Sequence, residues 1–243
     1  MEGGPGKDMA LSPPDPARVA ARSLVLSAVI FRSFMEIWPS SRHIDEARRR
    51  AIDWLDRLGV GGEVEPREAA VLAAPPFAID EEVRIAVTWL TEGLLVLAWA
   101  LGRKDLPRHD DQVDPEELTE SLGLLEVDAA RGLLAAASLR PRAELARVAR
   151  SLLAVHWRLR EFARRPGPMD FAHRAREAGL DLDPALIPLV DGDLAIGGRT
   201  IAEAPRESVE DCLGIAHERH RAMNWLLGYE SVFSKVPTPV PDA

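Results

Sequence analysis

The stretch Ile85–Gly102, which reads IAVTWLTEGLLVLAWALG, decides the fold of this chain. It is apolar on nearly every side and carries a single charge, Glu92. A helix that is apolar all round its circumference is buried in a large core or in a bilayer. Asp80 can cap such a helix at its start, and Gly102 can end it. The sequence therefore predicts a buried central helix over about residues 80–101.

A membrane span is the first alternative for this stretch. Ile85–Leu101 is at the short limit for spanning, and a charge such as Glu92 near the middle costs about 3 kcal/mol on insertion scales. The apolar run Ser23–Phe31 is no convincing signal peptide, because it follows charged residues and lacks a small-residue cleavage site. We therefore expect a soluble, cytoplasmic protein with no membrane partner.

Composition narrows the class of protein further. A chain of 243 residues that is 47% hydrophobic suits one globular domain. Its net charge of −9 argues against binding to nucleic acid or to an anionic membrane. The single cysteine, Cys212, excludes an internal disulfide and any multi-cysteine zinc site. Cys212 lies on an apolar helical stripe, so we interpret it as a small core residue.

The chain divides by composition into a body with two tails. Residues 1–14 are rich in Gly and Pro and predict a disordered N-terminal tail. Residues 15–234 form the predicted single helical domain, and residues 235–243 a Pro-rich, extended C-terminal tail. Asp-Pro pairs at 15–16 and 114–115 are strong helix starts, because Asp can cap and Pro fits the first turn.

One further helix and one hairpin complete the predicted fold. Pro141–Arg164 has the most regular period, with apolar residues at steps of three and four from Leu145 to Phe162. The only β signal is a tight hairpin near residues 194–201 on a Gly-Gly turn. An isolated hairpin is marginal in water, so it must pack on the helices. The predicted fold class is all-α, one multi-helix domain with one small β-hairpin.

Glu92 needs a partner, because a buried carboxylate is tolerated only when it is paired, hydrogen-bonded or protonated. A functional interpretation is a general acid or base with a raised pKa. A structural ion pair with a buried arginine perturbs a carboxylate as strongly as an active site does, and we favour it. Arg219 is the first choice of partner, with Arg32 or Arg160 next.

Polar residues interrupt an apolar line of the last predicted helix. His217, His220 and Asn224 follow one another there at steps of three and four. We predict that they form a buried hydrogen-bonded network, facing the central helix or the helix over residues 141–164. A neutral histidine needs only two partners to be satisfied, so such a network requires no ligand.

A metal site is the alternative for these histidines, because His217 and His220 could both hold one ion. A catalytic zinc needs at least one further protein ligand. The candidates are Glu92 or Glu218 and His156, but Glu92 is expected to pair with arginine and His156 lies on a seam that faces elsewhere. We therefore predict no bound metal and no cofactor.

These residues also carry a resemblance to a known family. The motifs are Trp-x-x-Glu-Gly-Leu at 89–94, Leu-Ala-Trp-Ala-Leu-Gly at 97–102, His-Trp-x-x-Arg at 156–160 and Glu-Arg-His-x-Ala-x-Asn-Trp-Leu at 218–226. Through these motifs the chain resembles a mainly bacterial family that is catalogued only as a domain of unknown function. The resemblance covers most of the chain from Arg18 onwards. The resemblance implies a helical fold and no activity, and it assigns no catalytic residue.

Two hypotheses of function follow. The first is a non-enzymatic protein-interaction or regulatory module with a protein partner, which suits an acidic, helical protein without a catalytic motif. The second is an enzyme or small-ligand binder that uses a polar cluster from separately buried helices. The cluster comprises Glu92, His156, Arg160, Arg219, His220 and Asn224, with His217 and Glu218 beside it. The two hypotheses differ in whether these residues line an open pocket or form a closed, mutually satisfied network.

Overall fold

The structure, a computed structural model, describes residues 12–37, 39–180 and 182–241. Most of the predicted N-terminal tail, residues 1–11, lies outside the described residues. Within the described part the chain forms nine α-helices and one three-stranded antiparallel sheet. The helices are α1 (Pro16–Phe34), α2 (Ser41–Leu58), α3 (Pro66–Ala73), α4 (Glu81–Ala100), α5 (Pro115–Ser121), α6 (Val127–Ala135), α7 (Arg142–Arg164), α8 (Phe171–Glu177) and α9 (Arg206–Leu226).

Helix α4 is the predicted central helix, and it packs mainly against α1 and α9. Every residue from Thr91 to Ala100 is buried. The expectation that the whole helix is buried is wrong for its first half, because only Val87 is buried among residues 81–90. That half forms the floor of an open groove, so its apolar side chains lack a covering element.

Helix α4 also passes the length and hydropathy test for a membrane span, and in the described part of the chain it is alone in doing so. In the protein, 61% of its most apolar window is buried. Burial of this extent is consistent with the core helix of a soluble protein.

The helix starts follow the capping signals in the sequence. The side chain of Asp15 accepts from the backbone N–H of Arg18 at the start of α1. Asp114 caps α5 in the same way. Helix α3 opens with a reciprocal capping box between Glu65 and Glu68. These caps satisfy backbone donors that a helix leaves unpaired in its first turn.

The sheet contains the predicted hairpin and one more strand. Its strands are β1 (Leu189–Val190), β2 (Asp193–Ile196) and β3 (Arg199–Thr200), in the order β1-β2-β3. Gly197 and Gly198 join β2 to β3 with positive φ angles of 58° and 78°, which glycine adopts without strain. Strand β1 was not predicted, because two residues are too few to show an alternating pattern.

An ion pair fastens the sheet to α7. The guanidinium of Arg158 binds both carboxylate oxygens of Asp193, each at 2.7 Å, and both side chains are buried. The same carboxylate accepts from the backbone N–H of Met169. The hairpin thus packs on the helices, as its small size requires. Cys212 is buried nearby, which confirms its interpretation as a core residue.

The chain after α9 returns to the body of the protein. Phe233 and Val236 are buried in the main apolar core. The carbonyl of Pro237 accepts a hydrogen bond from Asn224 of α9. The start of the Pro-rich segment is therefore held against the helices, and it closes one side of the candidate site described next.

Candidate functional site

Glu92 pairs with Arg219, which confirms the first choice of partner. Arg219 Nε and Nη2 lie 2.8 Å and 2.7 Å from Glu92 Oε2, and both side chains are buried. The other two arginines considered lie elsewhere. Arg32 pairs with Glu36, which lies in the short 3-10 turn after α1, and Arg160 is exposed.

The groups around this ion pair are satisfied as well. Arg219 Nη1 and Nη2 donate to the carbonyls of Arg108 and Asp111, at 2.9 Å and 2.7 Å. The second oxygen of Glu92 accepts from the backbone N–H of Val113, at 3.1 Å. The pair therefore joins α4 and α9 to the loop that follows α4. This arrangement is a closed network in which both oxygens of Glu92 have hydrogen-bond partners.

A second closed network contains His220 and Asn224, as predicted. His220 Nε2 lies 3.1 Å from Asn224 Nδ2, which also donates to the carbonyl of Pro237 at 2.9 Å. His220 Nδ1 lies 2.9 Å from His156 Nδ1 on α7. The expectation that His156 faces elsewhere is wrong, because α7 and α9 cross at these two imidazoles.

The hydrogen-bond partners in this network determine which ring nitrogen of each histidine carries the proton. A backbone carbonyl can only accept, so the amide nitrogen of Asn224 must face Pro237 and is also the donor to His220 Nε2. His220 then carries its proton on Nδ1 and donates to His156 Nδ1. His156 consequently keeps its own proton on Nε2.

Burial keeps both imidazoles of this network uncharged at neutral pH. Desolvation lowers the pKa of His156 to about 3, with the neighbouring His220 and His217 contributing in the same direction. Desolvation, with a smaller effect of His217, lowers the pKa of His220 to about 4. A charged imidazole would lack both water and a carboxylate here.

His217 does not join this network, so the prediction that it is buried there is wrong. Its side chain is 46% exposed, and its Nδ1 lies 3.3 Å from Thr238 Oγ1. The reason is that this turn of α9 borders an open groove, whereas the next turn is covered by α7 and Pro237. Among the described residues, no group of three or more His, Cys, Asp or Glu has a geometry that could hold a metal.

The open groove has the first half of α4 as its floor, and we call it the α4 groove. Helices α1 and α3 form one wall and α7 and α9 the other, around a cavity of about 1030 Å³. Its floor and first wall are mainly apolar. The large apolar side chains that line it are Val71, Ile79, Val83, Val87, Trp89 and Leu90.

Trp89 marks the place where α4 and α9 approach most closely beside the groove. A Cβ atom at Gly214 would lie 2.9 Å from the indole ring of Trp89. Glycine is therefore needed at this position for the ring to lie where it does. Gly93, one turn further along α4, is less restricted, because a Cβ there would meet Phe233, Glu218 and Ala222 at ordinary contact distances of 3.5–3.7 Å.

Two ion pairs close the inner end of the groove. Arg22 binds both carboxylate oxygens of Glu68, and Arg221 binds Glu218. The ring of Phe233 lies between the two guanidinium groups, 4.9 Å from Arg22 and 5.2 Å from Arg221. Burial raises the pKa of Glu218, and Arg221 opposes that shift.

The α7 and α9 wall carries Arg160 and His217. Both line the cavity and are exposed to it. Desolvation lowers the pKa of His217, and the positive charges of Arg221 and Arg160 lower it further. Among the described residues, this wall therefore holds one exposed guanidinium without an ion pair, that of Arg160, next to an apolar floor.

The candidate residues thus fall into two sets. Glu92, Arg219, His220 and Asn224 belong to closed networks. Arg160, His217 and Glu218 line the α4 groove, and His156 belongs to both sets because it bonds to His220 and also lines the groove. Sequence reasoning missed the α1 and α3 wall and the Phe233 contact. The one available signal was Arg22, a charge within the apolar part of α1.

A second cleft, of about 1100 Å³, lies between the hairpin turn and the start of α9. Its walls are as polar as they are apolar. Its best placed carboxylate, Asp110, already accepts from the backbone N–H of Gly197 and pairs with Arg108. These contacts lower the pKa of Asp110 against the effect of burial. The α4 groove therefore has the larger apolar surface and the freer polar groups.

The fold and these sites define a mainly helical protein with one open apolar groove among its described residues. A family model described as Domain of unknown function (DUF4272) matches residues 7–170, and the chain belongs to this family. The match extends from α1 through α7, so it includes the floor of the groove but not α9. No curated protein and no solved structure matches the chain.

Proposed function

We propose that this chain is a non-enzymatic interaction or regulatory module that acts by binding an apolar group in the α4 groove. The observation that carries the proposal is the exposed first half of α4. Val83, which lines the groove, is 39% exposed on a helix whose second half is core. Exposed apolar area costs about 25 cal/mol per Å² relative to burial, and contiguous apolar surface of this kind marks binding sites.

The closed networks support a binding role over catalysis by Glu92. Both of its oxygens are engaged, one by Arg219 and one by the backbone N–H of Val113. A carboxylate in this position holds helices together, and each of its oxygens already accepts a hydrogen bond. The acidic composition and the buried, unpaired Cys212 favour a cytoplasmic location for such a module.

The proposal can be tested by filling the groove. Ala86 lines the groove, whereas Thr88 lies on the same helix and is exposed outside the lining. We expect the neutral dye Nile red to bind the protein with a blue-shifted emission. Ala86→Trp should weaken this binding by about tenfold or more, because a lost contact of 1.4 kcal/mol is a factor of ten.

The matched control is Thr88→Trp, which adds the same indole on α4 away from the cavity. It should leave dye binding unchanged, and both variants should keep the melting temperature of the wild type. Equal dye binding by all three proteins would show that the groove is not the site, and the proposal would fail.

A further inference from the structure

We propose that the ligand of the α4 groove is an aliphatic carboxylate, whose headgroup is bound by Arg160 and His217 and whose chain lies on the floor of α4. The inference rests on the proposed function and adds the chemical class of the ligand. It follows from the residues that line the two walls and from the guanidinium that remains free on the α7 and α9 wall.

The two walls offer different chemistry. The α1 and α3 wall presents Val29, Ala70, Val71 and Ala74 to the cavity. Its charged residues there are Arg22 and Glu68, which bind each other, and the exposed Arg67. The α7 and α9 wall presents His156, Arg160 and His217. A ligand that fills the cavity therefore has an apolar body on one side and a polar group on the other. The cavity volume of about 1030 Å³ lies at the upper end of the range for small-molecule sites.

The sign of the polar group follows from which charges are already neutralised. Of the carboxylates that line the cavity, Glu68, Glu218 and Glu210 are each held by an arginine, namely Arg22, Arg221 and Arg206, and Glu65 lies 3.9 Å from Arg22. Asp80, at the start of α4, forms no ion pair among the described residues and does not belong to the α7 and α9 wall. In the described part of the chain Arg160 forms no ion pair of its own. The free charge on this wall is therefore a guanidinium, whose planar donors match the two oxygens of a carboxylate.

His217 stands next to this guanidinium and can supply a second donor. Its present contacts are weak: Thr238 Oγ1 at 3.3 Å from Nδ1 and Glu218 Oε1 at 3.9 Å from Nε2. Glu218 repels an incoming carboxylate less than a free acid would, because Arg221 holds its other oxygen. An anion beside Arg160 would offset the positive charges that now disfavour a protonated His217.

Calorimetric titration with three twelve-carbon probes tests the headgroup. The probes are dodecanoate, dodecanol and dodecyltrimethylammonium, each below its micellar concentration. We expect dodecanoate to bind most tightly. Arg160→Gln should weaken dodecanoate binding by about tenfold and leave dodecanol binding unchanged, since a charge-assisted contact is worth about 1.4 kcal/mol or more.

Arg164→Gln is the matched control, because Arg164 lies one turn further on α7, is exposed and is outside the groove lining. It should bind dodecanoate as the wild type does. A second measurement follows the imidazole of His217 by NMR titration, where bound dodecanoate should raise the pKa of His217. A bystander histidine such as His173 should show no change.

The outcomes separate this inference from the proposed function. Equal binding of dodecanoate and dodecanol, with no effect of Arg160→Gln, would overturn the carboxylate inference and leave the groove as an apolar site. Preference for the trimethylammonium probe would overturn it as well. If no dodecyl probe and no Nile red bind, the proposed function itself fails.

Discussion

The two halves of α4 are equally helical and have opposite surroundings. Its second half, from Thr91 to Ala100, is wholly buried between α1 and α9. Its first half, from Glu81 to Leu90, exposes apolar side chains to a cavity of about 1030 Å³. The polar residues divide in the same way. Beside the buried half they satisfy one another, and beside the open half Arg160 and His217 remain available.

Under the proposed function, this difference lets one helix serve both stability and binding. A buried polar group is costly unless every donor and acceptor is paired, so the closed half tolerates only complete networks. The open half is free of that constraint because water reaches it, and its apolar surface is the part that a ligand can cover. The predictions below test this division between the two halves.

The largest effect is expected at the ion pair of the closed half. Glu92→Ala and Arg219→Ala should each lower the free energy of unfolding by roughly 3–5 kcal/mol, because each leaves a buried charge without its partner. The double variant should lose much less than the sum of the two. Urea denaturation of the four proteins measures these values.

Arg160→Ala, a change beside the open first half of α4, is the control for this experiment. Arg160 is exposed on the groove wall, so its removal should change stability by no more than about 0.5 kcal/mol. Additive losses for Glu92→Ala and Arg219→Ala would contradict the direct contact. A large loss for Arg160→Ala would contradict the distinction between the two sides.

The next effect is a loss of stability in acid caused by the buried imidazoles. In the unfolded chain a histidine has a pKa of about 6.5, whereas the folded values are about 3 for His156 and about 4 for His220. Between these values the unfolded chain binds more protons, so stability is full above pH 6.5 and falls as the pH is lowered. The slope is about 1.4 kcal/mol per pH unit for each imidazole.

Denaturation at several pH values from 7 down to about 4.5 tests this expectation. Replacing the buried imidazole with His220→Gln should remove one histidine's share of the slope. His173→Gln, at a residue that is 57% exposed, should leave the slope unchanged. A wild-type slope that persists in His220→Gln would show that other groups cause the acid sensitivity.

Much of the structure around the buried half of α4 could be predicted from the sequence, because short sequence patterns determine it. Periodic apolar residues placed α4 and α7, and Asp-Pro pairs marked the starts of α1 and α5. Glu92 and Arg219 could be paired because each is a lone charge in an apolar stretch, and such charges must find each other inside one core.

The open side could not be predicted, because hydropathy tells which side chains avoid water but not which neighbours cover them. Val83 and Leu94 look alike in the sequence, yet Val83 is 39% exposed and Leu94 is fully buried. The contact between His156 and His220 depends on where α7 crosses α9. The spacing of apolar residues along each helix does not show where two helices cross. Arg22, Glu68 and Phe233 come from distant segments for the same reason.

The smallest and most specific difference is expected at two glycines on either side of the boundary. Gly93→Ala should raise the free energy of unfolding by about 0.5–1 kcal/mol, because alanine is the better helix former and its Cβ has ordinary contacts there.

Gly214→Ala gains the same helix propensity, but its Cβ would lie 2.9 Å from the ring of Trp89. The indole borders the groove and has room to move into it, so Gly214→Ala should alter Trp89 fluorescence and weaken Nile red binding, with little change in stability. Gly93→Ala should leave dye binding unaltered. A loss of dye binding in Gly93→Ala, or normal binding in Gly214→Ala, would mean that the closed and open halves of α4 are not independent of each other.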